Sequence, residues 1–341
     1  MLATQYRVHK TKGNFNNHIG LPLTLLQLDE DTEIAVLEMG MSARGEIALL
    51  SGIAEPDTAV ITIIGESHLE QLGSSEEIAR AKTEIVGGLR QDGLFVYNGE
   101  SPLIEKVLPQ MPQPERFRLL RFGMGQGFDL YPTAVRTEAN GTYFRVNAGA
   151  GTEFFIPLLG RHNVTNALAA IAVGREYGLS DETIAAGLAA VQMTSMRIEV
   201  LKAPSGLTVL NDAYNASPTS MRAALKLLGE LNGYARKFAV LGDMLELGPQ
   251  ETEFHLDIGA ELGPDVADYV LTYGERARHI AAGAAARMAA ERVLSFGDKE
   301  QLTAELLRLV QPADVVLVKG SRGMELETVV SALTGKDAGA H

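Results

Sequence analysis

The sequence contains no cysteine and no tryptophan. Without cysteine, disulfide bonds, thiol catalysis and cysteine-ligated metal sites are excluded, and the cytoplasm is the expected compartment. No apolar run approaches the roughly 20 residues that span a bilayer, and the first residues do not look like a signal peptide. Cations are also scarce, with 30 Lys and Arg against 43 Asp and Glu and a net charge of −13. That balance argues against nucleic acid or an anionic membrane as a partner.

The remaining composition is that of a folded α/β protein. The 341 residues are 46% hydrophobic, enough for about two domains with substantial cores. We expect an amino-terminal domain over residues 1–195, a carboxyl-terminal α/β domain over residues 196–335 and a small polar tail over residues 336–341.

Short β-branched runs predict the strands of the first domain. Residues 33–39 and 58–64 read as buried strands of a parallel sheet, each followed by a helical pattern. The second of those helices, residues 75–86, follows Ser74 with Glu77 three residues later, which is a capping-box pattern. Further predicted elements are a strand over residues 94–98, an antiparallel insert over residues 128–157 and a pair of helices over residues 162–191.

In the second domain strands and helices alternate again. The runs LTVLND, KFAVLGD, DYVLTYG, RVLSFGD and DVVLVKG are separated by helical stretches, which predicts a mostly parallel sheet.

Two chemistry-bearing side chains follow the first two predicted strands. Glu38 lies where the first run ends, and His68 lies just after the second. Ligands of open α/β sheets bind beyond the carboxyl ends of the strands, so a carboxylate and an imidazole are expected at one edge. Both groups ligate divalent cations, with water and phosphate oxygens in the other positions. A solvated carboxylate and an ordinary loop histidine are the alternative.

Lys82 borders the apolar face of the helix predicted over residues 75–86. An ion pair within the helix, with Glu77 or near Glu84, is the simpler interpretation. The alternative is a lysine that loses its charge through burial or modification.

A second set of polar side chains follows the strands of the carboxyl-terminal domain. Acids at one strand end and cations at another suit a substrate that carries both an amine and a carboxylate, although a solvated sheet edge explains them equally well. The set comprises Asp212 with Tyr214 and Asn215, then Asp243 and Glu246, and finally Lys319 and Arg322.

Taken in order, eight segments resemble the Mur ligases of peptidoglycan synthesis. They are KTKGNFNNHIGLPLTLL, LEMGMSARGEI, SHLEQLGS, AKTEI, GRHNVTNALAA, NDAYNASPTSMRAAL, LGDMLELG and VLVKGSRGMELE. The resemblance covers essentially the whole chain. It implies a central ATPase-like domain with a parallel sheet, here truncated, and a Rossmann-like carboxyl-terminal domain. GDMLELG stands where the member that adds the third peptide residue is expected to carry a DNPR-like motif, which favours the branch that adds D-alanyl-D-alanine to UDP-N-acetylmuramoyl-tripeptide.

The resemblance implies ATP and Mg²⁺ as cofactors and an acyl phosphate as the activated carboxylate. The resemblance implies that Glu38 and His68 bind one magnesium ion each. It also implies that Lys82 is carbamylated with CO2 and so becomes a carboxylate-like metal ligand. The resemblance also implies three nucleotide contacts: Asn166 with the base, Asp212 with the ribose or phosphate side, and Arg197 with the γ-phosphate from the domain junction. The implied substrate contacts are Asn14, Asn16 and Asn17 with the muramoyl peptide, and Tyr214, Asn215, Lys319 and Arg322 with the dipeptide. The implied partners are these small molecules, with the protein as a monomer.

The loop over residues 9–22, HKTKGNFNNHIGLP, has no phosphate-binding partner in this sequence. In the family this loop follows a strand, a glycine-rich loop ending G-K-T or G-K-S and a helix, whereas no G-x-x-x-x-G-K-[ST] occurs here. We therefore expect that residues 1–341 alone do not ligate the dipeptide. The interpretations left open are a ligase continued upstream of Met1, a non-catalytic nucleotide or dipeptide binding module, and another amide ligase of the superfamily such as a folylpolyglutamate or cyanophycin synthetase.

Overall fold

The computed structural model describes residues 1–138, 140–149, 151–191 and 196–336. The chain forms two compact units, which we call unit 1 (Met1–Ile64 and Gln71–Gln192) and unit 2 (Gly65–Glu70 and Met193–His341). The predicted tail lies outside the described residues except for Lys336. Among the described residues, no helix is both long and apolar enough to cross a membrane.

The described residues of unit 1 form three small sheets. Parallel strands β1 and β2 form one, parallel β3, β4 and β5 a second, and antiparallel β6, β7 and β8 a third. The strands are β1 (Val8–Lys10), β2 (Ile34–Val36), β3 (Thr58–Ile61), β4 (Leu94–Asn98), β5 (Arg118–Phe122), β6 (Pro132–Glu138), β7 (Gly141–Val146) and β8 (Glu153–Ile156). The helices are α1 (Gly20–Leu25), α2 (Glu46–Ala54), α3 (Leu69–Leu72, which crosses the unit boundary), α4 (Ser75–Thr83), α5 (Pro102–Val107), α6 (Arg161–Glu176) and α7 (Asp181–Ala189).

The central strand β4 is buried on both faces, as a parallel strand covered by helices should be. Leu94 and Val96 pack with α6 and the antiparallel insert, and the alternate residues Phe95 and Tyr97 pack against Val86 and other residues on the opposite face. This period-two alternation places one continuous core on each side of the sheet.

The described residues of unit 2 contain a six-stranded sheet in the order β13-β12-β11-β14-β10-β9, which is parallel except for the edge strand β9. Alternate strand residues pack on α8, α9 and α10 on one face and on α11 and α12 on the other. The strands are β9 (Glu199–Lys202), β10 (Thr208–Asp212), β11 (Lys237–Gly242), β12 (Tyr269–Tyr273), β13 (Val293–Phe296) and β14 (Val315–Lys319). The helices are α8 (Pro218–Glu230), α9 (Glu251–Glu261), α10 (Arg278–Ala284), α11 (Lys299–Leu309) and α12 (Glu327–Thr334).

Most predicted elements are present, but the first predicted strand is shorter and more exposed than expected. β2 covers only residues 34–36 of the predicted 33–39, and Val36 is 46% exposed. Because β2 pairs only with β1 among the described strands, it lacks the second neighbour that buries a central strand. The helix after Ser74 begins as predicted, with the Ser74 hydroxyl accepting from Glu77 N–H, but it becomes a 3₁₀ turn after Thr83.

Among the described residues, the sequence interpretation missed six short elements: α1, α3, α5, β1, β5 and β9. Each has six residues or fewer, so no hydrophobic period has room to develop.

The buried residue His255 links the loop after β11 to α9 through two hydrogen bonds. His255 Nε2 accepts from Met244 N–H (3.0 Å), and Nδ1 lies 2.6 Å from the carbonyl oxygen of Glu251, to which it donates. The ring is fully buried, and burial lowers the pKa of His255. The imidazole must therefore remain neutral to make both bonds.

Acid should destabilise unit 2 through this residue. Below the usual histidine pKa of about 6.5, the unfolded chain takes up a proton that folded His255 resists, so stability falls as pH falls through that range. His255→Leu should cost about 1–3 kcal/mol at neutral pH, because Met244 N–H loses its acceptor. The variant should also show a weaker pH dependence. Urea unfolding of His255→Leu and of the control His18→Leu, at an exposed histidine of unit 1, measures both effects. A pH dependence identical in all three proteins would contradict the assignment.

Candidate functional site

In unit 1, the asparagine-rich loop holds the carboxylate that follows β2. Asn16 Nδ2 donates to Glu38 Oε1 (2.8 Å), and Glu38 N–H donates to the Thr11 hydroxyl (2.9 Å). A Cβ at Gly40 would lie 2.9 Å from Asn16 Cγ, so the glycine allows Asn16 to sit against this strand end. The loop thus orients an exposed carboxylate whose Oε2 has no hydrogen-bonding partner among the described residues.

The other two asparagines of the loop differ in their surroundings. Asn17 Oδ1 accepts from Ile19 N–H (3.1 Å) and Gly20 N–H (2.8 Å), which caps the start of α1. Asn14 is exposed. Contacts of either residue with a muramoyl peptide stay a prediction.

Lys82 does not form the helical ion pair that was the simpler interpretation. Glu77 and Glu84 both pair with Arg44, whereas Lys82 Nζ donates to the Ile63 carbonyl just beyond β3 (2.9 Å). The side chain is half-buried, and desolvation lowers the pKa of Lys82. A lysine with a lowered pKa supplies more of the neutral amine that reacts with CO2.

Glu38 and Lys82 belong to the same region of unit 1. Leu37 and Met39, on either side of Glu38, pack in the cluster that contains Ile85, three residues after Lys82. Asn166, the predicted base contact, is exposed in the second turn of α6.

In unit 2, His68 contacts a loop of the carboxyl-terminal domain. Its Nδ1 lies 3.0 Å from Glu246 Oε2, although the pair lacks hydrogen-bond alignment, and Glu70 N–H donates to the Glu246 carbonyl (3.0 Å). His68 (φ 65°) and Glu246 (φ 63°) both adopt the left-handed conformation, which costs energy for residues other than glycine. A Cβ on Gly248 would lie 3.3 Å from Glu70 Cα. The contact directs Nδ1 toward a carboxylate and leaves Nε2 for another partner.

An ion pair joins the ends of two neighbouring strands of unit 2. Asp212 and Lys319 are register partners on β10 and β14, with Lys319 Nζ 2.6 Å from Asp212 Oδ2 and 2.9 Å from the Asn215 carbonyl. Lys319 is 2% exposed, and burial lowers the pKa of its ammonium while Asp212 raises it. The second carboxylate oxygen, Oδ1, accepts from Ile198 N–H (3.2 Å).

Around this pair lie the remaining predicted residues of unit 2, and we call the whole set the rim. Arg197 is exposed, and its Cζ lies 4.5 Å from the centroid of the Tyr214 ring. Arg322 pairs with Glu327 (2.7 Å) and contacts Met196 Sδ (3.3 Å). The rim comprises Arg197, Asp212, Tyr214, Asn215, Lys319 and Arg322.

Lys319 is buried against Asp212 and the Asn215 carbonyl, so it supports the other residues of the rim, and its expected contact with the dipeptide stays a prediction. One expectation for the rim needs correction. Asp243 was expected as a rim acid, but it is 4% exposed and its Oδ1 accepts from Arg276 N–H and Ala277 N–H. It therefore fixes the turn after β12.

The predicted convergence of Glu38, His68 and Lys82 stays a prediction. Glu38 and Lys82 belong to unit 1, and His68 belongs to unit 2.

Comparison with known proteins identifies the family. Residues 1–174 match the Mur ligase middle domain, and residues 196–322 match the Mur ligase glutamate ligase domain. A Bacillus subtilis protein named UDP-N-acetylmuramoyl-tripeptide--D-alanyl-D-alanine ligase is 50% identical over 333 residues, which are 98% of this chain and 71% of that protein. The chain belongs to the Mur ligase family.

Solved Mur ligase structures share the fold. MurF from Acinetobacter baumannii superposes with a TM-score of 0.87 at 31% identity, covering 98% of this chain and 72% of that one. MurF from Thermotoga maritima in complex with ADP gives a TM-score of 0.85 at 30% identity, with 98% and 74% coverage. The parallel α/β sheets expected from the sequence are thereby confirmed.

The sequence interpretation missed the contacts that fix the segment around His68. Glu66 accepts from Thr219 N–H (3.2 Å) and the Thr219 hydroxyl (3.0 Å) at the start of α8. The two residues are 153 positions apart, so no local pattern could have paired them.

Breaking the pair between Asp212 and Lys319 should destabilise unit 2 strongly. Asp212→Asn and Lys319→Met each leave a buried charge without its partner, for which a loss of about 3–5 kcal/mol is typical. The double variant should recover most of that loss, because no unpaired charge remains.

Urea unfolding of the two single variants and the double variant tests this interaction. Arg308→Met, which removes a surface pair with Glu305, is the control and should leave stability unchanged within error. Additive losses in the double variant, or single variants as stable as wild type, would contradict the role assigned to the pair.

Proposed function

We propose that this Mur ligase adds D-alanyl-D-alanine to UDP-N-acetylmuramoyl-tripeptide at the expense of ATP, in peptidoglycan precursor synthesis. The observation that carries the proposal is the 50% identity, over 98% of the chain, to the Bacillus subtilis ligase of that name. The ADP bound by the Thermotoga maritima relative supports ATP as the nucleotide. The absence of cysteine supports a cytoplasmic location, and we propose that the protein acts as a monomer.

The chemistry requires an activated carboxylate. The tripeptide carboxylate takes the γ-phosphoryl group of ATP, and ADP leaves. The amine of the dipeptide then attacks the acyl carbon and loses a proton, and phosphate departs from the tetrahedral intermediate. Such a sequence depends on aligned reactants and on cations that meet the developing negative charge.

The rim of unit 2 supplies a cation suited to this task. Arg197 is exposed and contacts an aromatic ring, whereas the nearby Asp212 is engaged by Lys319. A guanidinium without a carboxylate partner keeps its N–H donors for a phosphate oxygen. Arg322 and Asn215 are exposed and suit the dipeptide.

Magnesium is compatible with the groups present. The described residues contain no group of three or more His, Asp or Glu side chains that could hold a metal. Magnesium needs no such group, because one or two carboxylates with water and substrate phosphates are its usual ligands. Glu38 and carbamylated Lys82 would hold it in unit 1, and His68 Nε2 would bind a second ion in unit 2. When bound, it would neutralise charge on the transferred phosphoryl group.

Release of phosphate that depends on the dipeptide tests the function. With ATP, magnesium and UDP-N-acetylmuramoyl-tripeptide, D-alanyl-D-alanine should give phosphate and the amide product, whereas lysine or diaminopimelate should not. The assay is run on residues 1–341 and on a chain lengthened at its amino end to the length of the relatives.

The two chains separate the interpretations. Product from the lengthened chain alone supports both the function and the expectation that residues 1–341 do not turn over. Product from both supports the function and overturns that expectation. Product from neither overturns the function and favours the alternative, a non-catalytic module that binds the nucleotide or the dipeptide.

We further propose that Lys82 is carbamylated. Its lowered pKa and its position near Glu38 support this. In ¹³C-bicarbonate, wild type should give a carbamate carbon resonance that Lys82→Arg lacks. Lys226→Arg, at an exposed lysine, should retain it. A carbamate signal that persists in Lys82→Arg, or no signal in wild type at alkaline pH, would rule this modification out.

A further inference from the structure

Arg197 has an aromatic ring as its neighbour rather than an acid. The guanidinium Cζ lies 4.5 Å from the centre of the Tyr214 ring, and no ion pair of Arg197 occurs among the described residues. The acid of the rim, Asp212, is paired with Lys319. The pKa of Lys319 is lowered mainly by burial, and the positive charge of Arg197 contributes in the same direction.

The backbone on both sides of Arg197 is fixed in an unusual conformation. Met196 (φ 60°) and Ile198 (φ 54°) are both left-handed, a rare state for a β-branched residue such as isoleucine. Tyr214 N–H donates to the Met196 carbonyl (3.2 Å), and Ile198 N–H donates to Asp212 (3.2 Å). The surrounding contacts hold this strained segment, and strain of this kind concentrates at functional sites.

Tyr214 therefore contacts this segment in two ways: its backbone N–H donates to the Met196 carbonyl, and its ring contacts the guanidinium of Arg197. A carboxylate partner would occupy the N–H donors of the guanidinium. A ring face attracts the cation but leaves its N–H edge free for an oxyanion.

We propose that Tyr214 is a positioning residue, which holds the guanidinium of Arg197 with its N–H edge open to a phosphate-type oxyanion. This replaces the dipeptide contact expected for Tyr214 from the sequence. The identity of the oxyanion as a nucleotide phosphate rests on the proposed function, whereas the positioning itself does not.

NMR of the arginine side chain tests the positioning without ligand or turnover. The Nε–Hε resonance of Arg197, assigned by its loss in Arg197→Lys, should be displaced by the ring current in wild type and in Tyr214→Phe. In Tyr214→Leu it should return to the position of a free arginine. Tyr214 is 38% exposed, so this variant should stay folded, and its remaining resonances check that.

A second surface pair provides the matched control. Arg136 Cζ also lies 4.5 Å from the centre of the Tyr143 ring, in the antiparallel insert of unit 1. Tyr143→Leu should shift Arg136 and leave Arg197 unchanged. An Arg197 resonance that is the same in Tyr214→Leu and in wild type would overturn the proposal.

Steady-state kinetics of a catalytically active form of the protein distinguish whether Tyr214 positions Arg197 or binds the dipeptide. Tyr214→Leu should lower kcat roughly 10- to 100-fold with little change in the KM for dipeptide, because a misplaced group costs rate. Tyr214→Phe should restore most of the loss, and Tyr214→Leu should add nothing in an Arg197→Ala background. A raised KM with unchanged kcat would instead support the dipeptide contact and overturn the proposal. Absence of all turnover would count against the proposed function, and the NMR result would still decide the positioning.

Discussion

Lys319 and Asp212 face each other at the carboxyl ends of two neighbouring parallel strands, and the arrangement of the rim follows from that contact. A buried ammonium is costly unless it is neutralised and hydrogen-bonded, and Lys319 meets both conditions with Asp212 and the Asn215 carbonyl. Because one oxygen of Asp212 is engaged in this way, the other remains to bind Ile198 N–H. The ion pair thus also helps to order the segment that carries Arg197, through the bond to Ile198 N–H.

A chain with a net charge of −13 needs local positive groups to bind phosphates, and Arg197 is a cation that remains available for this. Most arginines pair with carboxylates, as Arg44 does with Glu77 and Glu84. Arg197 instead contacts an aromatic ring. In unit 1, Lys82 likewise donates to a backbone carbonyl, that of Ile63, rather than to an acid. Asn16 orients the carboxylate of Glu38 in the same region. Arg197 and Lys82 both lack a carboxylate partner among the described residues. Asp212 pairs with Lys319, and Glu77 and Glu84 pair with Arg44.

The sequence predicts elements with a clear hydrophobic period, such as β4, β11 and β14, and the helix that follows Ser74. It also places Asp212 and Lys319 at strand ends, since the apolar runs stop there. It could not predict that these two pair with each other, because that depends on β10 and β14 being neighbours although 107 residues separate the two side chains. The exposure of β2 was likewise unpredictable, since it depends on which strands lie beside it. Contacts such as Glu66 with Thr219 need the folded chain, because no local pattern encodes them.

The central claim, that Asp212 orders the segment carrying Arg197, is tested most directly by hydrogen exchange at the Ile198 amide. In wild type this N–H donates to Asp212 and should exchange slowly, and in Asp212→Ala it should exchange much faster, because its acceptor is gone. The Ala277 amide, which donates to Asp243, is the internal reference: it reports the general loss of stability of unit 2, and the Ile198 amide should lose more protection than it does. Equal protection of the Ile198 amide in wild type and Asp212→Ala would contradict the account.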